Sequence, residues 1–201
     1  MADAQRYSTI AARASADLRD RGSKFLAFVF PVSDTASVKA QLSALRKEHP
    51  KATHHCYAYR LGTSANEWRA VDDGEPSGSA GRPILAAIDS AGLTDVLAVV
   101  VRYFGGTLLG VAGLIAAYRG AATEALVQAG RIERWIEKRL TIEADYSVLG
   151  EVLHLLKSHE ATVYAQEPGL FSSLTAGIPL HRCDACLARL SEIRGVTLAP
   201  L

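Results

Sequence analysis

Asp72, Asp73 and Glu75 stand just ahead of Ser77-Gly78-Ser79-Ala80-Gly81-Arg82-Pro83. Carboxylates, hydroxyls, glycines and a guanidinium in one short segment admit several chemistries. Gly78 and Gly81 let the backbone approach a ligand. A helix beginning near Pro83 would offer free N–H groups and the positive end of a dipole, which favour an anion. Arg82 would add a fork of donors. No Gly-Lys-Ser/Thr is present, so the segment is not a P-loop. The acids upstream would repel phosphate unless a metal bridged them. A hydrolase would need Ser77 or Ser79 as nucleophile, His54 or His55 as base, and Asp72 or Asp73 to orient it. Residues 77–81 lack the first glycine of a Gly-x-Ser-x-Gly elbow. The plain alternative is a strand-to-helix turn whose acids are solvated.

A second glycine stretch, RYFGGTLLGVAGL at 102–114, follows the most apolar run of the chain. Ligands in βα units often sit off the carboxyl end of such a strand. The spacing is not Gly-x-Gly-x-x-Gly, so no dinucleotide fingerprint is read. Arg102, Tyr103 and Phe104, with Gly105 and Gly106, could stack on and contact single-stranded RNA. Equally, the aromatics could be core and the glycines a place where a helix packs closely. His54-His55-Cys56 and His181-Arg182-Cys183-Asp184-Ala185-Cys186 hold metal-capable groups, but one Cys-x-x-Cys is half a zinc site at best. A redox pair is a further reading. Against both, Cys183, Cys186, Leu187, Leu190 and Ile193 share one helical face, as core residues do.

The elements that must position these groups can be read from periodicity. KFLAFVFPV (24–32), HHCYAYRLG (54–62), WRAVD (68–72) and DVLAVVVRYF (95–104) read as strands, the last buried on both faces. Residues 8–21 are weakly strand-like. Val38, Leu42 and Leu45 mark an amphipathic helix capped by Asp34 or Thr35 and ended by His49-Pro50. Residues 62–66 read as a hairpin loop. Helices follow at 83–92 and 110–130. RIERWIEKR (131–139) is a charged seam. Beyond it come a strand (140–146), a helix capped by Ser147 (147–159), a hairpin around Pro168-Gly169, a helix (183–194) and a final strand. That β-α-β-β-α-β order is the ferredoxin-like arrangement. The fold class is α+β in two domains, 1–136 and 137–201.

Composition narrows the classes. Lys plus Arg is 22 and Asp plus Glu is 21 over 201 residues, a formal charge of +1. A protein that coats DNA is normally far more basic. The hydrophobic fraction of 49% supports a real core rather than global disorder. No basic-then-apolar leader opens the chain and no apolar run spans a bilayer, so a cytoplasmic protein with no membrane partner is expected. Three scattered cysteines make no disulfide framework.

Together, ATHHCYAYRLG, DDGEPSGSAGRPIL and VVVRYFGGTLLGVAGLIAAYRGAATEAL, in this order, resemble the signature of the IMPACT family and its bacterial, YigZ-type branch. The resemblance covers essentially the whole chain. It implies a ribosomal protein S5 domain-2-like N-terminal domain, a sheet backed by two helices, followed by a small ferredoxin-like domain. The pair is similar to two domains of elongation factor G that contact the ribosome. Eukaryotic members regulate translation through a partner contact that involves an additional N-terminal domain, so that contact is not carried over. Ser79 stands where threonine is common, His55 where a smaller polar residue is usual, and Ala112 and Ala116 where glycine and a basic residue often stand. Arg82, Arg102 and Arg119 remain as the local basic set. The expectation is a translation-associated protein binding RNA or a ribosomal component, with no cofactor and no metal. Its contacts would come from Ser77, Gly78, Ser79, Gly81, Arg82, Arg102, Tyr103, Gly105, Gly106 and Arg119. The alternative is a hydrolase or phosphate-ligand enzyme using Asp72, Asp73, Glu75, Ser79 and His54. In either case the two glycine loops are expected to form one surface.

Overall fold

The computed structural model describes residues 5–63, 67–167, 169 and 171–200. The tip of the 62–66 hairpin and Pro168 lie outside them. The chain forms two compact units, Tyr7–Arg134 and a second made of Trp135–Leu201 with the start of the chain.

Strands β1 (Arg6–Ile10), β2 (Ala14–Asp20) and β3 (Ser23–Pro31) lead into helix α1 (Thr35–Glu48). Asp34 caps α1, accepting from the Ser37 N–H at 2.7 Å. Strands β4 (His54–Leu61) and β5 (Glu67–Val71) follow, then helix α2 (Gly81–Ser90), strand β6 (Val96–Tyr103), helix α3 (Gly110–Ala129) and strand β7 (Arg131–Trp135). A five-stranded sheet runs in the order β2-β3-β6-β4-β5. Its central strand, β6, is buried along Val96–Arg102, as its unbroken apolar run predicts. It pairs antiparallel with both β3 and β4. The parallel βα geometry that places ligands at a strand's carboxyl end is therefore absent here. Alternation then divides the side chains. Phe25, Cys56, Ala98 and Val100 face α2 and α3 in one core. Phe30, Tyr59, Val99 and Val101 face α1 in another. Helices thus cover both faces of the sheet, one more than the two-helix backing that the resemblance implies.

In the second unit, strand β8 (Glu137–Asp145), helix α4 (Leu149–Ser158), strands β9 (Thr162–Glu167) and β10 (Phe171–Pro179), helix α5 (Leu180–Glu192) and strand β11 (Val196–Pro200) form a β-α-β-β-α-β set. The sheet order β11-β8-β10-β9 is the ferredoxin-like one. Ser147 does not cap α4. It lies in a short 3₁₀ turn, Tyr146–Val148, that precedes the helix. The charged seam at 131–139 is largely strand: β7 pairs with β1, and β8 begins at Glu137. No helix among the described residues is long and apolar enough to cross a membrane.

Candidate functional site

Sheet register brings the site together. Arg102 on β6 lies opposite Phe25 on β3 and His54 on β4, so these side chains share the face that carries α2 and α3. Glu75, from the first glycine loop, descends onto that face and is 9% exposed. Its Oε1 accepts from Arg102 Nη1 at 2.6 Å and from the Tyr118 hydroxyl of α3 at 2.7 Å. His54 Nε2 stands 3.8 Å from the same oxygen. Arg102 Nη2 reaches Ser23 Oγ at 3.3 Å, and that hydroxyl also accepts from the Gly105 N–H at 3.2 Å. The Glu75–Arg102 pair therefore ties the first loop to the strand that opens the second.

Around this centre the loop groups are committed to one another. Asp72 Oδ1 accepts from the N–H groups of Ala80 at 3.0 Å and Gly81 at 2.8 Å, and Oδ2 from Gly78 at 2.8 Å. The helix N-terminus that would attract an anion is already occupied by this chain's own carboxylate. Burial raises the Asp72 pKa, and the three amides outweigh it, leaving the carboxyl below its ordinary value. Asp73 Oδ2 accepts from the His55 N–H at 2.7 Å, and Oδ1 pairs with Arg46 at 2.9 Å. Its pKa is also lowered, with burial again opposed by these donors. Ser79 Oγ donates to the Pro76 carbonyl at 2.6 Å and is fully buried, so it closes a turn instead of presenting a nucleophile. Gly81 packs so tightly on β5 that a Cβ there would overlap the Val71 backbone. Gly105 would likewise overlap Gly22. The turn reading fits this segment, except that its acids are bound rather than solvated.

The remaining expected residues separate. His54 Nδ1 donates to the Asp73 carbonyl at 2.8 Å, which leaves Nε2 aimed at Glu75 and the ring partly open to solvent. His55 points to the α1 face, buried, with its pKa lowered by burial and then by Arg46. Tyr103 also turns away, its hydroxyl 3.0 Å from His49 Nδ1. Arg102 is 5% exposed and ion-paired, so it offers nothing to a surface ligand. Arg82, Ser77 and Gly106 are exposed. Arg119 is exposed too, and it lines a different feature between α2 and α3. Two participants were not singled out in the sequence. Tyr118 is a fully buried hydroxyl in a helix of small residues, and Ser23 sits at a tight turn. A tyrosine amid alanines and glycines is the one sequence signal that could have drawn notice.

Among the described residues no three His, Cys, Asp or Glu side chains group to hold a metal ion. Cys183 and Cys186 belong to the core of the second unit. Burial pushes the Cys56 thiol up to about 12 and the Cys186 thiol up to about 11, and raises Cys183 as well. A thiol-specific reagent at pH 8 should therefore leave all three cysteines of the native protein unmodified and label all three after denaturation. Prompt labelling of Cys183 or Cys186 in the native state would revive the redox reading.

Comparison with known proteins places this geometry in a family. The Impact N-terminal domain family matches residues 21–126. An IMPACT family member of Thermus thermophilus is 44% identical over 176 residues, covering 85% of this chain and 93% of its own. The Escherichia coli member YigZ is 32% identical over 172 residues, 85% and 84% of the two chains. A crystal structure described as that of a hypothetical protein overlays on 98% of both chains, with a TM-score of 0.75 at 30% identity. The loop that caps its own helix and the cluster beneath it thus lie within the matched span, and the chain belongs to the IMPACT family.

Proposed function

We propose that this protein is a cytoplasmic, translation-associated regulator that binds a ribosomal component through the second glycine loop and the start of α3. The resemblance to the IMPACT family implies a connection with the regulation of translation. The observation that carries the binding surface is a run of exposed apolar side chains: Phe104 at 47%, Leu108 at 81%, Val111 at 54% and Ile115 at 39%. Val111 and Ile115, four residues apart on α3, share one side of the helix, and Leu108 lies in the loop two residues ahead of it. Clustered exposed apolar groups mark contact surfaces more often than isolated ones do. The acids, by contrast, are absorbed in holding the loops, and Arg102 is neutralised by Glu75. Contact is therefore made mainly by apolar surface.

Sedimentation with ribosomes tests this reading. The native protein is expected to co-sediment at low and at high salt, because apolar contact is little screened. Leu108→Asp/Val111→Asp should abolish the association while leaving the thermal melt in place, since both positions are exposed. Association that vanishes with salt and depends on Arg82 alone would instead assign the contact to RNA phosphates. Absence of association at low salt would overturn the proposal.

A further inference from the structure

A cavity of about 430 Å³ opens between the end of α2 and the second half of α3. Its size suits a small organic molecule. Leu93, Leu126 and Ala87 line it and are buried, and Val127 stands at its rim. Two arginines complete the lining, Arg119 from α3 and Arg131 from β7. Both guanidinium groups are held by neutral partners. Arg119 Nη2 donates to Ser90 Oγ at 3.2 Å. Arg131 Nε donates to Ser8 Oγ at 3.0 Å, and its Nη1 lies 3.5 Å from the Ala91 carbonyl. Elsewhere Arg46, Arg60, Arg102 and Arg182 each meet a carboxylate. Among the described residues these two do not.

We infer that this cavity binds a small amphipathic carboxylate, with its apolar body on Leu93, Leu126 and Val127 and its carboxylate on Arg119 and Arg131. Each part of the lining accounts for one part of the ligand. Buried aliphatic walls gain from covering a hydrocarbon chain. They offer nothing to a free sugar or nucleotide. Guanidinium groups fixed by serine hydroxyls keep donors to spare and present them to a planar carboxylate in the geometry it accepts best. Because the serines anchor the arginines before binding, little side-chain freedom is lost when the ligand arrives. The site is independent of the apolar loop–helix surface, with which it shares no residue.

Octanoate is the probe, titrated into the full chain by calorimetry, with octanamide as its neutral match. Backbone amide NMR shifts report the place. Octanoate is expected to bind saturably and to move the resonances of Leu93, Leu126 and Val127, with octanamide weaker by roughly tenfold or more. Arg119→Gln/Arg131→Gln should reduce octanoate affinity to that of octanamide. Both side chains are exposed, so an unchanged thermal melt shows that the fold is intact. Thr123→Trp, at the lining, should block both probes. Equal affinity for the two probes, octanoate binding that survives the double arginine change, or shifts confined to other residues would each overturn the assignment. So would the absence of any saturable binding at millimolar octanoate. Tight capture of a peptide's terminal carboxylate with no response to octanoate would likewise reject the small-molecule site in favour of a protein contact.

Discussion

Glu75→Gln will lower the unfolding free energy of the native protein by about 3–5 kcal/mol, the range for removing one partner of a buried ion pair. The reason lies in what is left behind. Arg102 is 5% exposed, and its Nε already lacks a partner among the described residues. Glutamine keeps the volume of the side chain and can still accept from Tyr118, so no cavity forms. What changes is that the guanidinium is left buried beside a neutral amide. For a chain of this size the melting temperature should fall on the order of 10 °C. Arg102→Met in the same background should recover much of the loss, because with neither charge present the desolvation cost goes along with the attraction. Thermal melts of the two single variants and the double variant measure it. A double variant no more stable than Glu75→Gln would show that the stranded charge is not the cause.

This cluster also shows how far the residues themselves carried the reading. The ferredoxin-like unit was legible because its signals are local: alternation in 140–146, helical spacing of Val152, Leu155 and Leu156, and turn residues between them. Asp34 was legible as a cap for the same reason, since its acceptor serves an amide three residues on. Asp72 was not. It serves amides six to nine residues downstream, while Ala80, at the cap position of α2, contributes no side chain. Arg102 looked free to meet a ligand because nothing near it on β6 is acidic. Its partner comes from 27 residues upstream and only the sheet register brings it close. Residues 131–139 hid β7 because an exposed strand has no apolar alternation to reveal it. The missed features are tertiary pairings of charge, and they are the ones that decide what the loop 72–83 does. That loop uses its anion-binding capacity on itself, which moves the expected contact surface to the apolar residues beside it.

Asp72→Asn will then weaken the protein at neutral pH and make it less sensitive to acid. The carboxylate is the common acceptor for three amides at the start of α2, and charged acceptors bind such donors more strongly than neutral ones. Losing that charge should cost about 1.5–3 kcal/mol at pH 7, on the scale of hydrogen bonds to ionised groups. The sign of the pH dependence follows from linkage. The folded-state pKa of Asp72 lies below its unfolded value, near 3.9. The unfolded chain therefore binds the proton first as pH falls. The stabilisation is fully present above the unfolded pKa, and it is lost as pH drops through the folded one. Protonated aspartic acid offers the amides roughly what asparagine does. The stability gap between the native protein and Asp72→Asn should thus be widest at pH 6–7, begin to narrow near pH 4 and shrink further as pH falls toward the folded-state pKa. Asp73→Asn should show the same trend, with less amplitude, since half of its support comes from the exposed Arg46. Chemical denaturation at a series of pH values between 7 and 3 reads the gap directly. A gap that stays constant down to pH 3 would mean that the loop is held by its shape and not by this charge, and would reopen the helix N-terminus to an external anion.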